Sequence, residues 1–153
     1  MPKAQPISPL EAHLGYWLRF VSNHVSGAFA TKLEALHVSV AEWVIARELY
    51  DRGATPPSEL AALTGMTRGA ITKIVDRLAA KSLAGRTPSK EDGRAQTVAL
   101  TQAGRSLVPK LAALADRNDE EFFGHLKRSE RDLIENAMRD IVRRKGLRTL
   151  PTE

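Results

Sequence analysis

Three residues between positions 61 and 71 constrain the fold of this chain more than any other feature. Two short helices cross closely only where the contact residue is small, and Ala61 meets that requirement. Gly65 follows four residues later and suits the tight turn between the helices, because glycine adopts positive φ at little cost. Ile71, six residues further on, is a branched apolar anchor for the second helix. Together these three steric requirements predict a helix-turn-helix.

The second helix of this motif, predicted over about 68–81, has two chemically different faces. Apolar residues at helical spacing form one face, namely Ile71, Ile74, Val75 and Leu78. Small, polar and charged residues form the other, namely Gly69, Thr72, Lys73, Asp76 and Arg77, with Arg68 at the border. A helix of this kind suits the major groove of duplex DNA. The plainer alternative is a solvated amphipathic helix.

Most residues of the polar face of this helix have a predicted role. Gly69 permits close approach of the backbone, and Thr72 contacts bases or phosphate. Lys73 and Arg68 are long enough to reach guanine edges or phosphates, and Arg77 is expected to hold a phosphate.

A β-hairpin is predicted directly after this helix. Residues 83–87 and 96–101 look extended, and in the second stretch Val98 and Leu100 alternate with smaller or polar residues. The polar stretch 88–94 between them is rich in turn-forming residues and predicts a long loop.

The hairpin also carries basic side chains. Lys90 and Arg94 lie at the predicted tip and Arg86 on the preceding strand, and arginine suits insertion into a narrow minor groove. Asp92 is an acid on the same loop and could pair with Arg86 or Arg94 to fix the loop shape, although a plain turn is the alternative for this segment. The predicted DNA-binding residues are therefore Thr67, Arg68, Gly69, Thr72, Lys73, Arg77, Arg86, Lys90 and Arg94.

The placement of charge agrees with a surface that binds a polyanion. The net charge of the 153 residues is +5, and residues 53–105 carry eight Lys/Arg against four Asp/Glu. A localised positive patch favours nucleic acid, because each neutralised phosphate releases counterions. A solvated basic face is the alternative that charge alone leaves open.

Long helices are predicted on both sides of this central region. Ser8, Pro9 and Glu11 form a capping-box pattern for a first helix running to about Leu36. At this length the helix is expected to extend beyond its own core toward a partner. Ser39 and Glu42 form a second capping box, for a helix that ends at Gly53.

The C-terminal third predicts two further helices and a loose end. Thr101 caps the first of them, in which Pro109 is expected to produce a kink. The last helix begins near Ser129 and ends near Gly146, and residues 148–153 are expected to fray.

The central region resembles the MarR family of regulators. The matching segments, in order and spacing, are Gly69 to Leu78, Lys81-Ser82-Leu83, Arg86, Asp92-Gly93-Arg94, Val98 to Thr101 and Gly104. The resemblance implies a homodimer joined through its first and last helices, a recognition helix in the major groove, Arg94 as the minor-groove contact and Asp92 as its support. The sequence departs from the family pattern at Ser82, where the family usually has glycine. The absence of cysteine excludes the branch of the family that responds to thiol oxidation.

The resemblance further implies a small aromatic or phenolic acid as effector, with no other cofactor. The sequence offers aromatic and histidine residues for such a site, namely His13, Trp17, Phe20 and His24 on one face of the first helix, with Trp43 on the next helix. Packing in the core or at a dimer interface is the alternative explanation of this cluster.

Other classes of function receive little support from the sequence. The four histidines lack the i, i+4 pairing of a metal site, and none of the motifs typical of catalytic sites occurs. No apolar stretch approaches the roughly 20 residues of a membrane span, and the first eight residues do not form a secretory signal, so we expect a cytoplasmic protein that is not an enzyme.

Taken together, the sequence predicts a mainly α single domain over 1–153 with a small β-hairpin wing. Residues 37–104 are the predicted winged-helix DNA-binding lobe, and 8–36 and 105–147 the flanking dimerisation helices. The predicted function is a transcriptional regulator that binds a pseudo-palindromic operator in double-stranded DNA, acting as a repressor released by its effector. The alternative is a winged-helix protein-interaction module that does not bind DNA.

Overall fold

The structure, a computed structural model, describes residues 5–91, 93 and 95–152. After a 3₁₀ turn at Leu10–Ala12, its elements are α1 (Leu14–Glu34), α2 (Val40–Arg52), α3 (Pro57–Thr64), α4 (Arg68–Ala80), β1 (Ala84–Pro88), β2 (Gln96–Leu100), α5 (Gln102–Phe123) and α6 (Arg128–Lys145). The prediction of a mainly helical chain with one β-hairpin is confirmed.

The central lobe packs α2, α3 and α4 against the hairpin around one apolar core. Its fully or nearly fully buried residues are Ile45, Leu49, Leu60, Ile71, Ile74, Val75, Leu78, Ala84 and Val98. The hairpin joins this core through Val98, whose backbone also pairs with Thr55 just before α3. Three helices followed by a two-stranded wing form a winged helix-turn-helix, as predicted.

Local sequence signals determine the turn between α3 and α4. Pro57 occupies the first position of α3, where its missing N–H costs no hydrogen bond. Gly65 ends α3 in the left-handed conformation, with φ +71°. Thr67 then caps α4, its hydroxyl oxygen accepting a hydrogen bond from the Ala70 N–H at 3.1 Å.

The hairpin is joined to α5 through a compact junction. β1 and β2 pair antiparallel with Ala84 opposite Leu100. Thr101 caps α5 by accepting from the Gly104 N–H at 3.1 Å, and its hydroxyl donates to the Ser82 carbonyl at 2.7 Å. Ser82 has φ +59°, a left-handed conformation that favours glycine. A serine at this position, in place of the glycine usual in the family, therefore strains the backbone.

The N-terminal prediction was wrong about where the first helix begins. Ser8 does not cap a helix, because α1 starts only at Leu14 after the 3₁₀ turn and an extended His13. The His13 ring nitrogen lies 3.1 Å from the Pro9 carbonyl oxygen and 3.3 Å from that of Leu10. This local side-chain pairing favours a break over a continuous helix.

The second capping box forms only in part. Ser39 accepts from the Glu42 N–H at 3.1 Å, as predicted. The Glu42 carboxylate, however, is buried and binds the Lys81 ammonium at 2.6 Å. A long-range ion pair has thus replaced the expected return bond to Ser39.

The long helices form a second lobe with a small core and wide apolar surfaces. Leu33 of α1, Val38 and Leu111 of α5 make up this core, and α5 continues through Pro109 without interruption. Most apolar residues of α1 and α6 are exposed on the single chain, including Leu14, Trp17, Leu18, Phe20, Val21, Leu133, Ile134, Met138, Ile141 and Val142.

The prediction that the C-terminal segment frays was wrong for the residues the structure describes. Leu150 donates its N–H to the Thr64 carbonyl at 2.9 Å, so the segment lies against the helix-turn-helix.

We expect Gly104→Ala to destabilise the fold by about 3 kcal/mol, because a Cβ there would lie 2.1 Å from the Leu83 carbonyl oxygen. The control is Gly85→Ala on β1, where a Cβ meets nothing within 4 Å, with an expected change within about 0.5 kcal/mol. Urea unfolding measures both. Equal stabilities for the two variants would contradict the close approach at Gly104.

Candidate nucleic-acid interface

The two faces of α4 differ in the structure as the sequence predicts. Ile71, Ile74, Val75 and Leu78 are at most 5% exposed, so the helix is held firmly by one side. The predicted DNA contacts on this helix are all exposed, namely Arg68, Gly69, Thr72, Lys73 and Arg77. The packing of the apolar face therefore presents a basic and small-residue face to solvent.

The N-terminal turn of α4 is open to a ligand. Thr67, Arg68 and Gly69 are exposed there, where free backbone N–H groups and the helix dipole favour an anion such as a phosphate. A Cβ added at Gly69 would meet only the Thr67 hydroxyl oxygen, at 4.0 Å. Packing within the chain therefore does not require glycine at this position.

The hydroxyl of Thr72 is engaged by its own helix. It donates to the Arg68 carbonyl at 3.0 Å, which leaves its oxygen lone pairs and its methyl group facing outward. Thr72 can therefore accept a hydrogen bond from a base or contact a thymine methyl group without breaking this bond.

Arg86 has a partner that the sequence analysis missed. Its guanidinium donates to the Asp76 carboxylate of α4 at 2.8 Å, so β1 is tied directly to the exposed face of the helix. The sequence placed Asp76 on the exposed face but gave it no role. The ion pair makes Arg86 a residue that orients the hairpin relative to α4, in addition to its predicted contact with DNA.

The hairpin loop projects its basic side chain outward. Lys90 is exposed, and the loop closes with the Ser89 N–H donating to the Ala95 carbonyl at 2.7 Å. The predictions for Asp92 and Arg94 lie outside the described residues.

An ion pair between the exposed Lys81 and the buried Glu42 anchors the C-terminal end of α4. Lys81 donates to the Glu42 carboxylate at 2.6 Å and to the His37 carbonyl at 2.7 Å, and Glu42 is only 3% exposed. Thirty-nine residues separate the two charges in sequence, and only the tertiary fold brings them together. The pair fixes α4 against the start of α2, and no local sequence signal pointed to it.

The structure does not bring the predicted effector residues into one site. Trp17, Phe20 and His24 lie on the exposed side of α1, where the Phe20 and His24 rings are 5.1 Å apart, and the exposed His13 directly precedes this helix. Trp43 instead packs edge-on against Phe29, with ring centroids 6.3 Å apart.

Trp43 lines a different cavity, of about 270 Å³, between α1, α2 and α5. Its other walls are Val25, Ser26, Phe29, Val40, Val44, Ala115, Asn118, Asp119 and Pro151. Asn118 is the buried polar residue of this wall, donating to the Val25 carbonyl at 3.1 Å and accepting from the Lys32 ammonium at 3.0 Å. The sequence analysis missed Phe29 and Asn118 as walls of a cavity. The hydrogen bond that joins Asn118 of α5 to Val25 of α1 spans 93 residues.

Two further findings limit the kinds of site present. Among the described residues, no three His, Asp or Glu side chains cluster so that they could hold a metal ion. Within the same part of the chain, no helix is both long and apolar enough to cross a bilayer.

A three-helix core that turns a basic helix face outward beside a β-hairpin defines a winged helix-turn-helix protein. Residues 38–95 match the model of the MarR family, and this region covers the lobe from the start of α2 to the hairpin loop. This central part of the chain is therefore similar to the MarR family.

Individual relatives are similar over most of the chain. The HTH-type transcriptional regulator PrsX of Escherichia coli is 27% identical over 133 residues, which cover 85% of this chain and 80% of PrsX. The HTH-type transcriptional repressor IacR of Pseudomonas putida is 25% identical, with 83% of this chain and 75% of IacR covered.

A solved structure has the same fold. BpsR of Bordetella bronchiseptica, described with a mechanism for regulation of its DNA binding by 6-hydroxynicotinic acid, superposes with a TM-score of 0.78. The sequence identity is 24%, and the match covers 89% of this chain and 97% of BpsR.

We expect Lys81→Met to lower the free energy of unfolding by about 2 kcal/mol, because it leaves the buried Glu42 carboxylate without its cation. The double variant Glu42→Gln/Lys81→Met removes both charges and should recover most of the loss. Urea unfolding measures each variant, with Lys110→Met as the surface control. A single variant as stable as the parent would show that Glu42 does not depend on Lys81.

Proposed function

We propose that this protein is a regulator that binds double-stranded DNA sequence-specifically, with α4 in the major groove. The observation that carries the proposal is the orientation of α4. Its aliphatic face is buried, so Thr72 and Lys73 face outward together with the open N-terminal turn. Packing within the chain does not require glycine at position 69, and this supports close approach of DNA to the helix there.

The hairpin extends the same surface toward the neighbouring groove. The Arg86–Asp76 ion pair holds β1 beside α4, and Lys90 is exposed on the loop. By resemblance to the family, Arg94 enters the minor groove and Asp92 fixes the loop shape. An arginine suits that position, because a narrow minor groove concentrates negative potential.

A dimer is the proposed active form. The apolar stripe of α1, including Trp17, Leu18 and Val21, is about half exposed, and so is that of α6. Apolar surface of this extent marks an interaction site rather than a solvated face. A two-fold dimer presents two α4 helices and explains a pseudo-palindromic operator, with half-sites about 10 bp apart.

The cavity beside Trp43 is the proposed effector site, in place of the predicted face of α1. Its walls are mainly apolar, with Phe29 and Trp43 as ring surfaces and Asn118 as a polar group. This partly open cavity of about 270 Å³ can receive a single-ring aromatic acid. 6-Hydroxynicotinic acid, named for BpsR as a regulator of its DNA binding, has this size and chemistry. The naming of IacR as a repressor supports repression as the mode of regulation.

For DNA binding, we expect Lys73→Ala to weaken affinity for duplex DNA and to reduce the slope of log K against log salt concentration by about 1, because one phosphate contact is lost. Lys110→Ala on α5 is the matched control and should change neither quantity. Fluorescence anisotropy of a labelled duplex over a salt series measures both variants. A parent protein that binds no duplex would favour the protein-interaction module instead.

For assembly, we expect Leu18→Asp to convert a dimer into a monomer, because the charge lies in the apolar stripe of α1. Multi-angle light scattering should give 16.8 kDa for this variant and twice that mass for the parent. Ala103→Asp, an exposed change in the first turn of α5, is the control and should remain dimeric. A monomeric parent protein would contradict the dimer.

For the effector, we expect 6-hydroxynicotinic acid to quench Trp43 fluorescence in a Trp17→Phe background, where Trp43 is the one remaining tryptophan. Ala115→Phe fills the cavity from α5 and should weaken this binding at least about tenfold, or 1.4 kcal/mol. Ala103→Phe serves as the control. Equal affinity in the Ala115 variant and the control would place the ligand elsewhere.

A further inference from the structure

The C-terminal segment Leu147–Thr152, here called the tail, returns from α6 to the turn of the helix-turn-helix. Gly146 ends α6 with φ +61° and redirects the chain. Leu150 then donates its N–H to the Thr64 carbonyl at 2.9 Å. Thr64 is the last residue of α3, so the tail contacts the helix-turn-helix at the turn that positions α4.

Gly65 shows how closely the tail approaches that turn. A Cβ at this position would lie 2.8 Å from the Thr149 Cα and 2.9 Å from the Arg148 carbonyl oxygen. Two backbones meet here with no room for a side chain. Gly65 is therefore required both by its positive φ and by the tail that packs on it.

The end of the tail reaches the cavity and two neighbouring grooves. Pro151 forms part of the wall of the cavity beside Trp43 and Phe29. The half-buried Thr152 lines one groove with Lys73 and Arg77 of α4 and a second with Val38 and Lys81. The tail thus touches the proposed effector site, the turn, and the flank of the DNA-facing helix.

We propose that the tail is a strap that couples the state of the cavity to the helix-turn-helix turn. The proposal rests on the proposed function, since it assigns a regulatory role to the same cavity and the same helix. Pro151 and Leu150 are adjacent, and consecutive Cα atoms are only about 3.8 Å apart. A molecule that pushes Pro151 out of the cavity wall therefore pulls on the Leu150–Thr64 hydrogen bond.

The strap also transmits a change from the helix-turn-helix turn to the cavity. A shift of the turn when α4 binds DNA moves Thr64 and hence Leu150 and Pro151. Coupling between two binding sites is reciprocal, so DNA binding must alter the cavity wall if an effector alters DNA binding through the tail. DNA alone is therefore a sufficient probe of the coupling, and the effector need not be known.

The first experiment tests whether the tail docks in solution. In the Trp17→Phe background, acrylamide quenching reports the accessibility of Trp43. We expect the quenching constant to rise about two-fold in a chain ending at Gly146 and in Leu150→Pro, which lacks the N–H donor. Arg148→Ala, an exposed change within the tail, is the control and should match the parent. Equal quenching in all four proteins would overturn the docked tail.

The second experiment tests the coupling with a saturating DNA duplex. We expect the duplex to change Trp43 quenching in the full-length protein and to leave it unchanged in the chain ending at Gly146, although both bind DNA. A duplex effect of equal size in both proteins, or none in the full-length protein, would overturn the coupling. If the full-length protein binds no duplex, the proposed function fails with the coupling, whereas the quenching result still decides whether the tail docks.

Discussion

The burial of four aliphatic side chains of α4 is the constraint on which the rest of the account depends. Ile71, Ile74, Val75 and Leu78 join the core formed with α2, α3 and the hairpin. Because the helical period is fixed, burial of this face determines which side chains of α4 face solvent on the opposite side. The Arg86–Asp76 and Lys81–Glu42 ion pairs then fix the hairpin and the C-terminal end of α4 relative to that core.

Besides the packing of α2 against α1 and α5, two chain segments join the two lobes. The Thr101 cap and the close contact at Gly104 join the hairpin to α5, which continues into the second lobe. The tail is a second connection and runs in the reverse direction, from α6 to the turn before α4. The cavity lies between these routes, so a ligand there is well placed to change how the lobes are oriented.

Features that depend on local steric rules were predictable from the sequence. Gly65, the Thr67 cap and the alternation around Val98 correctly predict the turn, the helix start and the strand, because each signal lies within a few residues. The partners of Glu42, Trp43 and Leu150 could not be predicted in this way. Each is set by packing between elements far apart in sequence, and His13 ended a helix through a side-chain bond that the pattern does not reveal.

We infer that α4 reads the major groove in a two-fold arrangement. Selection of bound duplexes from a random pool, followed by dimethyl sulfate footprinting of the selected site, tests it most directly. The account predicts an inverted repeat in which guanine N7 atoms are protected in two half-sites about 10 bp apart, since N7 lies in the major groove. Enrichment of no common sequence, or full methylation of N7 across a bound site, would contradict it.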